Sequence, residues 1–229
     1  MDRRMMVRRT PVPSGYTAYD YIQTKANSGQ ISTPYEGLIA TAPYAALSEL
    51  SCEFDFEPRS GHFSGSCIFG RRTTTGSTHS YAFYAGNGIL GYHLHGTDSN
   101  PTLPASSNTV HHVKFTNSAS SPSKIQIDGG AETDIVWSNT NVLANVGLTL
   151  VTNASASTGN FNLSYLLRVG EIKLRDLSGA LVGDYVPCVR DLDNVIGLYD
   201  IVGHEFHTAA TVSYATIGNT NQRYIVGNW

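Results

Sequence analysis

The chain has 229 residues, of which 14% are charged, and a formal net charge of −3. So small a charge does not argue for nucleic acid as a partner, and no apolar run is long enough to span a membrane. The supply of Val, Ile, Leu, Phe and Tyr is enough for a substantial core and excludes a disordered chain, while abundant Gly with frequent Ser, Thr and Asn suits many strands joined by polar turns. All-β sandwiches run past about 200 residues as single domains, so one domain is expected.

The charge is unevenly placed. Arg3, Arg4, Arg8 and Arg9 face only Asp2 in the first nine residues; 15 basic residues less these four, against 18 acidic less Asp2, leave the rest at −6. Residues 1–14 therefore read as a basic arm closing on Pro11-Val12-Pro13, and residues 15–229 as the folded body. A basic arm on an acidic body suits tethering to a partner surface. The opening "MDRRMMVRRTPVPSGY" lacks the apolar stretch of a secretory signal, so none is expected. Synthesis in a reducing cytoplasm would leave Cys52, Cys67 and Cys188 as thiols; a Cys52–Cys67 bridge is the one pairing to test.

Strand candidates follow one another along the body. Tyr19–Thr24 is the first. Leu50–Phe56 alternates, with Leu50, Cys52, Phe54 and Phe56 on one face and Ser51, Glu53 and Asp55 on the other. Around Ala45–Leu50 a short turn of helix is expected. Cys67–Arg72, Ser80–Ala85 and Ile89–His95 come next, the last two joined by "AGNG", because Asn-Gly favours the positive φ angles of a tight hairpin turn. Val110–Asn117 places Val113 and Phe115 opposite His112 and Lys114. "KIQIDGGAETDIVW" reads as a hairpin turning at Asp128-Gly129-Gly130, and "VGLTLVTNAS", "LSYLLRVGEIKLRDLSG" and "ALVGDYVPCVR" supply further strands. No segment shows a helical period over ten or more residues, and the pattern predicts a β-sandwich.

The C-terminal third carries a resemblance. "LLRVGEIKLRDLSGALVGDYVPCVRDLDNVIGLYDIVGHEFH" resembles a motif of concanavalin A-like (LamG-like) jelly-roll domains found in gut bacteria and their bacteriophages; the matched positions run from Tyr185, Pro187, Cys188, Arg190 and Asp193 to Gly197, Tyr199, Asp200 and Phe206. "YDYIQT", "CIFGRR", "HHVKF" and "IQIDG" echo its other strands, so the likeness spans roughly residues 17–210. It implies an all-β jelly-roll sandwich of two antiparallel sheets. It also implies a non-enzymatic interaction domain of a phage virion, in a capsid decoration, head fibre or tail fibre setting, homo-oligomeric and fixed by the arm. The alternative it leaves is a bacterial lectin-like module. Asp200 is expected to hold a turn or the Arg190 guanidinium.

Glu53, Asp55 and Glu57 form an E-x-D-x-E run. Period two puts the three carboxylates on one strand face, the arrangement jelly-roll retaining glucanases use for nucleophile and acid/base. Three features argue otherwise. Pro58-Arg59-Ser60 replaces the small spacer of those enzymes. The run lies in the first quarter of the chain. Only Trp137 and Trp229 are present to stack sugars. A solvated acidic face is the expectation, with no catalytic residue. Tyr84, His93, His95 and His112 are expected to share an outward surface for host glycans, with His111-His112 on a strand neighbouring that of His93 and His95. Asp98 and Asn100 in "HGTDSNP" offer oxygens for Ca²⁺, the one cofactor expected. No phosphate loop, Ser/His/Asp signature or aromatic–basic pattern for nucleic acid appears.

Overall fold

A computed structural model describes residues 11–24, 30–31, 38–40, 50–58, 66–72, 79–86, 89–94, 103–117, 122–135, 148–152, 161–162, 167–208 and 224–229. The strands are β1 (Tyr16–Ala18), β2 (Tyr21–Thr24), β3 (Gln30–Ile31), β4 (Leu38–Ala40), β5 (Leu50–Pro58), β6 (Ser66–Arg72), β7 (His79–Gly86), β8 (Ile89–Leu94), β9 (Leu103–Pro104) and β10 (His111–Asn117). They continue as β11 (Ser123–Ile127), β12 (Thr133–Ile135), β13 (Leu148–Thr152), β14 (Phe161–Asn162), β15 (Leu167–Arg175), β16 (Leu181–Arg190), β17 (Val195–Asp200), β18 (Glu205–His207) and β19 (Tyr224–Gly227). The described residues contain no helix.

A large sheet runs β12-β11-β10-β5-β15-β16-β17-β18, with β1, β2 and β19 joined at its middle; a second runs β4-β13-β6-β7-β8-β9, and β3 pairs with β14. Every pairing is antiparallel, and the fold is all-β, as expected, built on two large antiparallel sheets. Its inner layer follows from alternation. Cys52, Phe54 and Phe56 of β5 stand opposite Phe115, Val113 and His111 of β10, and Phe56, Phe54 and Cys52 also stand opposite Val169, Ile172 and Leu174 of β15. All of these are buried, as are Ile22, Tyr185 and Leu198 on the same face.

Two hairpins form where turn chemistry placed them. Gly86 pairs with Ile89, so β7 and β8 are linked by Asn87 and Gly88 alone. Asp128 and Gly129 take φ of 54° and 68°, and Gly130 N donates to Ile127 O at 2.9 Å, the type I′ geometry that matches strand twist. The expected strand Tyr19–Thr24 is instead the pair β1 and β2. The chain steps sideways at Tyr19-Asp20, where Tyr19 N donates to Pro187 O and Asp20 N to Gly227 O. By that step β1 pairs with β16, while β2 lies between β15 and β19. The expected helical turn at Ala45–Leu50 lies outside the described residues except for Leu50, which opens β5.

In β17, Gly197 is the position that lets β18 close down. A Cβ there would collide with the His207 carbonyl oxygen and come within 2.7 Å of the Phe206 ring. Gly197→Ala should lower stability by about 1–3 kcal/mol through overpacking, read as a lower urea midpoint with an unchanged slope.

Candidate functional site

The E-x-D-x-E strand is β5, at the centre of the large sheet between β10 and β15. Its carboxylates point away from the buried layer. Register then decides their partners: Glu53 stands opposite Lys114 and Lys173, Asp55 opposite His112, and Glu57 opposite Arg168. Each meets a basic side chain. Lys114 Nζ lies 3.3 Å from Glu53 Oε1, His112 Nδ1 2.8 Å from Asp55 Oδ1, and Arg168 Nη1 2.8 Å from Glu57 Oε2. Lys173 Nζ pairs with Glu171 Oε1 at 3.0 Å. The run is therefore a ladder of cross-strand ion pairs, half-exposed at Glu53 and closing to a nearly buried Glu57 side chain, 6% exposed.

A bulge sets this alignment. Arg168 and Lys173 are five positions apart, which strict alternation would send to opposite faces. The register shifts between Val169 and Ile172, so Gly170 and Glu171 share the place opposite Asp55 and both cations reach the outer face. Gly170 suits the site because a Cβ there would sit 3.2 Å from Asp55 Cβ and from Asp20 O. Arg168 does more than neutralise Glu57. Its Nε donates to Gln23 Oε1 at 2.8 Å, and its guanidinium lies 4.4 Å from the Tyr21 ring centroid. Tyr21 in turn packs on Trp229, with centroids 4.9 Å apart, and Trp229 N donates to Asp20 Oδ2.

A second cluster lies on the same outer face. Tyr16 packs against Tyr199 at 4.7 Å and Phe206 at 5.3 Å, and Arg190 lies 5.0 Å above the Phe206 ring. The Arg190 guanidinium is gripped by Asp193, Nε to Oδ1 at 2.9 Å and Nη2 to Oδ2 at 2.6 Å, not by Asp200. Asp193 wins because it sits three residues on, in the β16–β17 turn. Asp200, on the opposite sheet face, holds a turn as expected: its Oδ1 accepts from Asp184 N and Val202 N.

The expected glycan residues divide between sheets. Tyr84 lies in β7 and His93 in the paired strand β8 of the second sheet, with Ala82 opposite His93 and Tyr84 opposite Gly91. His112 belongs to the large sheet, because β10 pairs with β5 and β11 whereas β8 pairs with β7 and β9. The expected adjacency of the two histidine strands is thus corrected; the chain crosses between sheets after β9. His95, Asp98, Asn100, Arg3, Arg4, Arg8 and Arg9 lie outside the described residues. Sequence reading missed Arg168 and Lys173 as counter-charges, and the glycine inside their strand was the available sign of a bulge. Among the described residues, no cluster of His, Cys, Asp and Glu could hold a metal, and no helix is long and apolar enough to cross a membrane.

Cys52 and Cys188 are buried, free thiols, so the Cys52–Cys67 bridge does not form; Cys52 lies in β5 of the large sheet and Cys67 in β6 of the second. Burial pushes the Cys52 thiol well above its ordinary value and Cys188 up to about 12, which leaves neither as a nucleophile.

His112 titrates above its ordinary value. Its hydrogen bond to Asp55 is the main cause, with the Asp55 and Glu53 charges adding, and partial burial and Lys114 opposing. A histidine raised on folding contributes stability that is fully present below its unfolded value and lost as pH rises through the folded one. The stability difference between the native protein and His112→Gln should therefore be largest near about pH 6 and shrink toward about pH 9, measured by urea denaturation at both.

No known family model matches the chain, and no curated protein matches it. Among solved structures it is similar to the heptameric SAP-like pentraxin from Limulus polyphemus, at 12% identity and a TM-score of 0.46, covering 68% of this chain and 76% of that one. It is similar also to the Ruminococcus gnavus IT-sialidase CBM40, at 18% identity and a TM-score of 0.45, covering 66% and 90%. The receptor-binding domain of botulinum neurotoxin mosaic serotype C/D gives 14% identity and a TM-score of 0.43, covering 69% of this chain and 43% of that one. These superpositions are partial.

Proposed function

We propose that the chain is a non-enzymatic interaction domain of a phage virion that binds a host-surface glycan on the outer face of its large sheet. One observation supports the non-enzymatic part of this reading: each carboxylate of the E-x-D-x-E run is engaged by a basic side chain from a flanking strand. A retaining glycosidase needs two carboxyl groups about 5–5.5 Å apart and facing substrate. The partners of Glu53 and Glu57 draw them to opposite sides, Glu53 toward β10 and Glu57 toward β15. The same arrangement suits binding. His112, Lys114, Glu53 and Lys173 offer fixed donors and acceptors for hydroxyl groups, with the partly exposed Trp229 on the same face.

In this reading the arginines of the arm fix the domain to another virion protein, and the chain is made in the host cytoplasm. Assembly as a homo-oligomer would multiply a weak sugar contact into useful avidity. Tyr84, His93 and His95 would serve a separate contact on the second sheet, with Asp98 and Asn100 as its calcium ligands.

The test is a glycan-array screen of the full chain with Ca²⁺ and with chelator, repeated for Lys114→Ala and for a chain lacking residues 1–14. Binding to a defined glycan that weakens about tenfold in Lys114→Ala, the loss expected for a hydrogen bond to a charged group, and survives removal of the arm is the expected result. The shortened chain should lose attachment to its virion partner. Glycan hydrolysis abolished by Glu53→Gln would replace this reading with a glucanase.

A further inference from the structure

We propose that the start of β10 is a proton-dependent latch: His111, held between Asp128 and Ser106, fastens the crossover loop 105–110 while both ring nitrogens carry protons and lets it go when one is lost. His111 Nδ1 lies 2.7 Å from Asp128 Oδ2, and Nε2 lies 3.0 Å from Ser106 O. A carboxylate and a backbone carbonyl are both acceptors. Both contacts are therefore hydrogen bonds only while each ring nitrogen carries a proton. A neutral ring has one N–H, so one nitrogen lone pair would face an oxygen lone pair. At a residue only 5% exposed, an unmade contact of this kind is costly. The Phe56 ring, 5.5 Å away, closes off that part of the inner face.

Unequal partners decide which side opens. The Asp128 side chain is half-exposed and tied elsewhere: Oδ1 accepts from His112 N at 2.8 Å, and Asp128 N donates to His112 O. A single remaining ring proton stays with the carboxylate, the stronger acceptor, and Ser106 is released. That carbonyl belongs to the loop joining β9 in the second sheet to β10 in the large one. The loop is otherwise pinned by buried Ala105 and by Asn108, whose N donates to Pro58 O at 2.6 Å with φ at 60°.

Among the described residues, Asp128 is the charged group facing His111. The neighbouring His112 points to the opposite sheet face, toward Asp55, Glu53 and Lys114. The two histidines thus face separate carboxylates, and of the two His111 touches the loop.

The test uses the full chain. Nitrogen NMR of the imidazole rings and amide-exchange protection of Asn108 are followed from about pH 5.5 to about pH 8.5, the range of histidine switching. His111 should carry two ring protons at the acid end, and Asn108 protection should fall about tenfold as the second proton leaves, the loss of one hydrogen bond. His111→Gln should abolish that transition, and His112→Gln should keep it. A His111 ring with one proton throughout, or Asn108 protection constant across the range in the native protein, overturns the latch. The ring measurement needs no variant, so a His111→Gln chain that fails to fold leaves the proposal open to refutation.

Discussion

A strand that carries three carboxylates can sit in the middle of a sheet only if its neighbours answer each charge. In this molecule β10 and β15 supply those answers, through Lys114, His112 and Arg168. The requirement is strictest at Glu57, where the side chain is nearly out of solvent and an unpaired carboxylate would be costly. It relaxes toward Glu53, where water and the Lys114 ammonium share the task. The register of three strands is thus doubly specified, by apolar residues on the inner face and by complementary charge on the outer one.

The charge pairs also explain how the sheet divides. Beyond Arg168 the strand β15 leaves β2 and takes up β16, and the change comes at the Gly170-Glu171 bulge. Arg168 reaches back from that point to Gln23 and Tyr21 of β2, and Tyr21 receives Trp229 from beyond β19. The fork is therefore filled by strands from both ends of the chain. A single cation joins the acidic strand, the incoming N-terminal strand and the C-terminal tryptophan.

The sequence made some of this legible and withheld the rest for physical reasons. The alternation of Leu50–Phe56 is local and read correctly, as is the turn at Asp128-Gly129, where positive φ angles select the residues. Sheet membership is not local. Val113 and Phe115 announce a strand with one apolar face, but nothing in them says that β10 joins β5 and not β8. Arg168 and Lys173 are misplaced by any strict period of two, because the bulge between them resets it. Arg190 shows the same limit at closer range: the matched motif offers both Asp193 and Asp200, and the turn that holds Asp193 beside Arg190, with Asp200 on the other sheet face, decides between them. The single strand expected at Tyr19–Thr24 fails because its break is set by long-range bonds to Pro187 and Gly227.

The placement of β1 has a mechanical consequence. It pairs with β16 through Tyr16, Thr17 and Ala18, and Asp191 N and Thr17 Oγ1 add bonds at its entrance. Tension applied to the residues before Pro11, along the strand axis, would load these bonds together instead of unzipping them singly. A domain held by its leading segment and pulled by whatever its sheet face grips would resist with the rate of shearing that junction. Its grip would then be governed by a lifetime under load as much as by its equilibrium stability.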